Sequence, residues 1–124
     1  MKKFLVLPLL FISSIAYAQA ARPTDKFAWD QAESNLITAQ GFRYELELDN
    51  TVLPTPLVTT CTGTTSPFQC LAPIPPITPS KHIARVRAVD MSVPDQPLAG
   101  EWSDPLEFNM RATPNKPGNL RIVR

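Results

Sequence analysis

The stretch FRYELELD, residues 42–49, alternates strictly between apolar and charged side chains. Its apolar members, which would share one face of a strand, are Phe42, Tyr44, Leu46 and Leu48. Successive side chains of a β-strand point to opposite faces of the sheet, so this period of two predicts a strand with one buried and one solvated face. A half-buried strand of this kind is typical of an antiparallel sheet.

The same period of two recurs in KHIARVRAVD (81–90), in PLEFNM (105–110) and, more briefly, in KFAW (26–29). Thirteen of the fourteen prolines follow residue 20, and proline interrupts helices because it lacks an amide donor and clashes with the preceding turn. No segment shows a helical period, and DQAESNLITAQG (30–41) is predicted to be a turn-rich connection. Short strands separated by turns indicate an all-β protein with an antiparallel β-sandwich fold.

The first twenty residues have the composition of a secretory signal peptide. Lys2 and Lys3 precede a run of about 14 apolar residues, and two small-x-small motifs end at Ala18 and Ala20. The apolar run is interrupted by Pro8 and is shorter than the roughly 20 residues that span a bilayer, which argues against a membrane anchor. We therefore expect cleavage after Ala20 and export to the periplasm or the extracellular space.

Cleavage would leave residues 21–111 as one domain and residues 112–124 as a C-terminal tail. The mature chain would carry 10 basic and 11 acidic side chains, since the precursor has 12 and 11 and loses two lysines. A balance so close to neutrality offers no basic patch for nucleic acid or for an anionic membrane surface. No second long apolar stretch follows, so the mature chain is not expected to insert into a membrane.

Cys61 and Cys70 are the two cysteines of the chain. In an oxidising compartment such a pair is expected to form a disulfide. A zinc site is excluded because His82 is the single histidine and a zinc ion takes four ligands. No compact run of oxygen ligands suits calcium, and no glycine-rich phosphate loop is present, so we expect no cofactor.

The order and spacing of these strands resemble a fibronectin type III domain over about residues 26–110. Trp29 stands where the strand B of that family carries a buried tryptophan, and GFRYELEL (41–48) resembles the opening of strand C. ITPSKHIARVRAVD (77–90) is similar to the approach to strand F and strand F itself, and GEWSDPLEF (100–108) to the start of strand G. The resemblance implies a fibronectin type III-like antiparallel β-sandwich.

His82 stands where the family has a tyrosine that hydrogen-bonds back to the preceding corner of the chain. An imidazole nitrogen would make a similar bond, so the resemblance implies a structural and not a catalytic role for His82.

The family's first strand has no counterpart at the expected place. Residues 21–25 (ARPTD) are few, polar and without alternation, whereas PNKPGNLRIV (114–123) resembles that first strand. The first strand is therefore expected to be displaced to the C-terminus, with Leu120 and Ile122 on its apolar face. It would fold back onto its own domain, be donated to a sheet edge of the next subunit, or remain an unpaired tail. The residues leave these alternatives open.

The resemblance also implies three loops at one pole of the sandwich, at about residues 30–41, 62–69 and 91–100. A rigid scaffold that presents loops in this way is common among binding proteins, and the disulfide would brace the middle loop. The candidate binding residues in and beside these loops are Glu33, Asn35, Thr64, Asp95, Gln96 and Glu101.

Arg85 and Arg87 lie on the predicted outer face of strand F, where Trp102 would allow a cation–π stack. No serine, threonine or cysteine can be matched with a histidine base, so we expect no catalysis. The sequence favours a secreted binding, adhesion or accessory module that recognises a protein or a glycan through its loops or a sheet edge. The alternative is a structural subunit that assembles head to tail by donating its C-terminal strand.

Overall fold

The computed structural model describes residues 19–124. Within this range the chain forms nine strands and one helix. In chain order they are β1 (Gln19–Ala21), β2 (Lys26–Gln31), α1 (Leu36–Gly41), β3 (Arg43–Leu48), β4 (Thr51–Val52), β5 (Thr60–Thr62), β6 (Phe68–Pro73), β7 (Lys81–Asp90), β8 (Leu98–Ala99) and β9 (Leu106–Met110). The predicted signal peptide, residues 1–20, lies outside the described residues apart from its last two.

The strands form two sheets. The larger sheet has the order β1-β9-β7-β3-β4, with β8 pairing alongside β7, and the smaller has the order β2-β6-β5. Neighbouring strands are antiparallel except β1 and β9, which run parallel. The all-β architecture expected from the alternating segments is confirmed.

The buried face of β3 is the one that the alternation predicted. Tyr44 and Leu46 are fully buried. Leu46 packs in a cluster with Phe27 of β2 and Phe108 of β9, whose rings meet edge to face with centroids 5.7 Å apart. Because this cluster draws side chains from both sheets, burial of apolar surface between the sheets stabilises the fold.

Cys61 and Cys70 form the predicted disulfide. The two cysteines lie directly opposite each other on β5 and β6, and both are buried. The bond therefore closes a hairpin whose loop comprises residues 63–67.

The prediction of a turn-rich connection before β3 is wrong in part, because residues 36–41 form the helix α1. Asn35 caps it, since its side-chain oxygen accepts a hydrogen bond from the Thr38 backbone N–H at 2.9 Å. Ala39 is fully buried, and the Tyr44 hydroxyl donates to its carbonyl oxygen at 2.6 Å. A helix of six residues is too short to show a period in the sequence. Among residues 19–124, no helix is long and apolar enough to cross a membrane.

A short first strand is present, although the sequence led us to expect none before β2. Strand β1 pairs with β9, and the Arg111 N–H continues the contact by donating to the Ala21 carbonyl oxygen at 2.8 Å. The prediction failed because it counted only residues after Ala20, whereas β1 begins at Gln19. Since β1 joins the larger sheet, it does not pair with β2.

Residues 112–124 form no strand. Leu120 is 99% exposed and Ile122 is 86% exposed, so the apolar alternation of the tail contacts no core in this chain. The displacement of a first strand to the C-terminus therefore stays a prediction.

Candidate functional site

Three connections meet at one end of the sandwich, as expected. Strand β2 ends beside the start of β6, and β3 begins beside the end of β7. This register gathers residues 32–42, 63–67 and 91–97 at the same end, which we call the loop pole. The opposite end, where β2 begins and β9 ends, is called the tail pole.

Strand β2 is an edge strand. It pairs with β6 along its whole length, and no other strand among residues 19–124 pairs with it. Phe27, Trp29 and Gln31 are its more buried side chains, while Lys26 and Asp30 are exposed on the other face. The main-chain groups along an unpaired edge are a template for the addition of another strand.

Two clefts flank β2 between the sheets. The cleft toward the loop pole has a volume of about 450 Å³ and lies between β2 and the inner side of β7 and β8. The cleft toward the tail pole has a volume of about 410 Å³ and lies between β2, β1 and β9. Leu106 lines this second cleft and remains 41% exposed, although the alternation placed it on a buried face. We call the two clefts and the unpaired edge of β2 together the β2 groove.

The half of the β2 groove nearest the loop pole is acidic. Glu33, Asp90 and Glu101 line it, and Arg87 is its one basic lining residue. The Ser92 backbone N–H donates to the Asp90 carboxylate at 2.8 Å and lowers the pKa of that group. Asp90 is therefore ionised at neutral pH, and this half of the groove favours a positively charged ligand.

Arg87 is already engaged on the outer face of the larger sheet. Its guanidinium lies 2.7 Å from a Glu45 carboxylate oxygen and 4.3 Å from the centre of the Trp102 ring. The expected cation–π stack thus forms through Arg87, whereas Arg85 takes Glu47 as its partner at 3.8 Å. Glu45 also pairs with Arg43 at 3.2 Å, so it does not cancel the charge of Arg87 alone. The lining still carries three carboxylates against this one guanidinium and is therefore net negative.

Trp29 gives the acidic half an aromatic wall. Its ring lies 5.2 Å from that of Tyr44, and its indole Nε1 is buried with no hydrogen-bond partner among the described residues. Burial raises the pKa of Tyr44 to about 12, with the nearby charge of Glu33 as a second cause, so the phenol stays neutral. An apolar wall below an acidic rim suits a segment in which apolar and basic side chains alternate.

The β2 groove brings together two of the six predicted binding residues, Glu33 and Glu101. Asn35 is the N-cap of α1, so its side chain is occupied by the helix. The other three, which lie exposed in loops outside the groove, are Thr64, Asp95 and Gln96. Sequence reasoning missed the groove itself, whose signal was the lack of a strand beside β2.

A second polar cluster is centred on the buried His82, for which the sequence indicated a structural bond but not the contact with Asp49. The Nδ1 atom of His82 lies 2.6 Å from Asp49 Oδ2. Its Nε2 atom lies 3.1 Å from Ser80 Oγ and 2.7 Å from the Thr78 carbonyl oxygen. The order serine, histidine, aspartate is that of a nucleophilic triad, so the position of the protons decides what the cluster can do.

Each ring nitrogen of His82 lies against a hydrogen-bond acceptor, Asp49 Oδ2 for Nδ1 and the Thr78 carbonyl oxygen for Nε2. A carboxylate and a carbonyl oxygen only accept, so both ring nitrogens must donate, and a doubly protonated ring has no lone pair with which to activate Ser80. The bond to Thr78 is the one expected of His82 as a structural residue. Asp49 also accepts from the Ile83 backbone N–H at 2.9 Å. We therefore interpret the cluster as a lock between the turn after β3 and the start of β7.

This lock predicts a pH-dependent stability. The bond to Asp49 raises the pKa of His82 above 6.5, so its contribution is complete below that value and is lost as the pH rises through the pKa of the folded state. The bond to His82 lowers the pKa of Asp49 below 3.8, so that contribution is lost as the pH falls. Stability from the pair should be greatest between about pH 4 and 6.5.

We expect the free energy of unfolding to fall by about 1 kcal/mol between pH 6 and pH 9, measured by urea denaturation. Hydrogen bonds to charged groups contribute more than this when buried, but the Asp49 side chain is 49% exposed and water screens it. Asp49→Asn is the matched control, because asparagine keeps the acceptor for Ile83 and tolerates the positive φ of 51° at this position. An equal fall in the free energy of unfolding of Asp49→Asn between pH 6 and pH 9 would contradict a stabilising contact between Asp49 and His82.

Among the described residues, the β2 groove combines an unpaired strand edge with acidic and aromatic lining residues, and His82 links two segments of the fold. Within residues 19–124, no group of three histidine, cysteine, aspartate or glutamate side chains is arranged to hold a metal ion. Comparison with protein families, curated proteins and solved structures gives no match for this chain.

Proposed function

We propose that this protein is an exported, non-enzymatic binding module of fibronectin type III type that recognises an extended protein segment at the β2 groove. The observation that carries the proposal is the unpaired edge of β2 beside a cleft with an aromatic wall and an acidic rim. A protein segment is favoured over a glycan because a sheet edge offers its free main-chain donors and acceptors in the spacing of another strand.

Binding would proceed by strand addition. Main-chain hydrogen bonds to β2 would supply affinity, and the clefts on either side would select alternate side chains of the ligand. Apolar side chains would face the wall formed by Trp29, while basic side chains would meet the rim formed by Glu33 and Glu101.

Export is supported by the buried Cys61–Cys70 disulfide, a bond that persists in oxidising compartments. Cleavage after Ala20 would remove Gln19 and Ala20 of β1, whereas cleavage after Ala18, the other small-x-small position, would keep them. Mass spectrometry of the N-terminal peptide of the exported protein distinguishes the two sites. We expect an N-terminus at Ala21, and an N-terminus at Gln19 would place the cleavage after Ala18.

The proposed function is tested by selecting binders to the mature chain from a displayed library of random twelve-residue peptides. We expect selected peptides to alternate apolar and basic residues. Glu101→Lys, which reverses a charge in the groove, should weaken their binding at least tenfold, because a like charge replaces an attractive one. Asp95→Lys is the matched control, since Asp95 is an exposed acidic residue of the loop pole outside the groove. Loss of binding only in Asp95→Lys would assign recognition to the loops, and failure to select any peptide would contradict the proposal.

A further inference from the structure

We infer that the segment bound by the β2 groove is the C-terminal tail of a second copy of this chain, through residues 119–123. This inference rests on the proposed function and names its partner. The tail and the groove are each left unpaired in the described chain, and four features of the two make them complementary: charge, side-chain alternation, direction and register.

The charges of the tail and the groove are opposite. Residues 111–124 contain four basic side chains and no acidic one. The half of the groove nearest the loop pole is lined by Glu33, Asp90 and Glu101 against one basic residue, whose partner Glu45 is shared with Arg43. A basic segment is therefore attracted to the net negative charge of this half of the groove.

The alternation of the tail fits a half-buried strand. Leu120 and Ile122 would face the core side of β2, where Gln31 and Trp29 lie, and Arg121 and Val123 would face outward. Both apolar side chains are almost fully exposed in the isolated chain. Burying them against Trp29 would remove apolar surface from water, which favours association.

Direction favours a second copy over the tail's own groove. Strand β9 runs toward the tail pole, where Met110 lies beside Ala21. A strand added antiparallel to β2 must run from the loop pole to the tail pole, which is the direction of β9. A tail that leaves its own tail pole therefore enters the loop pole of the next copy without reversing. To fill its own groove the tail would first have to return about 20 Å along β2 and then turn again.

Charge also selects the register. Outward-facing residues of an added strand lie opposite the outward-facing residues of β2, which include Lys26 and Asp30. Arg121 opposite Asp30 forms an opposite-charge pair, and Ile122 then lies opposite Trp29. A shift of four residues would place Arg121 against Lys26, and like charges directly opposite each other are destabilising.

Such a contact does not close on itself. Each copy would offer one groove and one tail, so repeated contacts build a linear array that grows with protein concentration. Because ionic attraction contributes, the association should weaken as salt is raised.

The inference is tested by mixing two single-cysteine variants of the mature chain, Ala28→Cys and Val123→Cys, under mild oxidation. These two positions lie opposite each other in the register set by Arg121 and Asp30, and both are exposed, so the charge pair is kept. The two native cysteines are bonded to each other, so the introduced thiols are the reactive ones. We expect a disulfide-linked dimer from this mixture. The matched control mixes Ala28→Cys with Asn119→Cys, because Asn119 is an exposed residue of the same tail, four positions away from Val123. The control should give at least tenfold less dimer.

Light scattering provides a second readout that needs no cysteine. The mean mass of the mature chain should rise with concentration, and Ile122→Asp should weaken that association at least tenfold. Val58→Asp is the control, since Val58 is 80% exposed and lies outside the β2 groove. Because Ile122 is exposed, Ile122→Asp should leave the melting temperature unchanged. A lowered melting temperature would identify a variant that fails to fold.

Three results would overturn the inference. The first is equal cross-linking in both mixtures. The second is a monomer at all concentrations while library peptides still bind the groove, which would leave the proposed function standing. The third is a cross-link that forms only within one chain carrying both Ala28→Cys and Val123→Cys, which would place the tail in its own groove. Loss of peptide binding and of self-association together would contradict the inference and the proposed function alike.

Discussion

Replacement of Leu46 by alanine should lower the free energy of unfolding by about 3–5 kcal/mol. Leu46 is fully buried at the centre of the larger sheet, in the cluster that includes Phe27 and Phe108 of the two sheets. Leucine-to-alanine changes at such positions remove transfer free energy and leave a cavity that neighbours fill only in part, and together these effects reach this size. Urea denaturation at 25 °C measures the change.

Leu98→Ala is the matched control, because Leu98 is 70% exposed and the same atoms are removed. Its effect should stay within about 0.5 kcal/mol in the absence of a ligand. Leu46→Met, which nearly keeps the volume, should cost less than about 1.5 kcal/mol. A loss below about 1 kcal/mol for Leu46→Ala would mean that the two sheets do not pack around this residue.

Replacement of both Cys61 and Cys70 by alanine should lower the free energy of unfolding by about 2–3 kcal/mol. The bond joins directly opposed positions of β5 and β6 and closes a loop with a sequence separation of nine. In the chain-entropy description a cross-link of this length restricts the unfolded chain by about that amount. Both positions are buried, so alanine avoids leaving an unpaired hydroxyl in the core.

A reducing agent provides the control for this prediction. It should lower the denaturation midpoint of the native chain and leave that of the double variant unchanged. A midpoint that is insensitive to the reductant in the native chain would contradict a stabilising role for the disulfide. Equal denaturation midpoints for the native chain and the double variant without reductant would also contradict a stabilising role for the disulfide.

The four alternating segments predicted β2, β3, β7 and β9 correctly, whereas β6, which also contributes to the core, was not among them. FRYELELD has eight residues with an unbroken period of two, and its inward residues Tyr44 and Leu46 are among the largest fully buried side chains. Such a pattern fixes both the strand and the face that it buries, because a slip of one residue would expose every apolar side chain. The prediction was weaker for PLEFNM, where Leu106 stays exposed beside an edge that no strand covers.

Short elements and long-range contacts were not predictable in the same way. The helix α1 has one turn and a half, and it depends on the Asn35 cap and on the bond from Tyr44 to Ala39, neither of which has a periodic signal. The lock between Asp49 and His82 joins residues 33 positions apart. Strand β1 has three residues and pairs with a strand near the other end of the chain.

The β2 groove was predictable from the sequence only in part. Its residues come from β1, β2, β7, β8 and β9, so no local motif reveals it. The sequence nevertheless indicated that β2 lacked an ordinary first strand and that the tail resembled one. The acidic rim lies at the end where a second copy's tail would enter. Its position could be located only once the register of the strands was known.

Amide hydrogen exchange of the mature chain, with and without a saturating synthetic peptide of residues 112–124, tests most directly whether β2 accepts this strand. The account predicts that alternate amides of β2 exchange more slowly with the peptide, because they gain partners on the open edge. Amides of residues 63–67 and 91–97 should be unchanged. Protection of those loops with no change in β2 would contradict the account and move recognition to the loop pole.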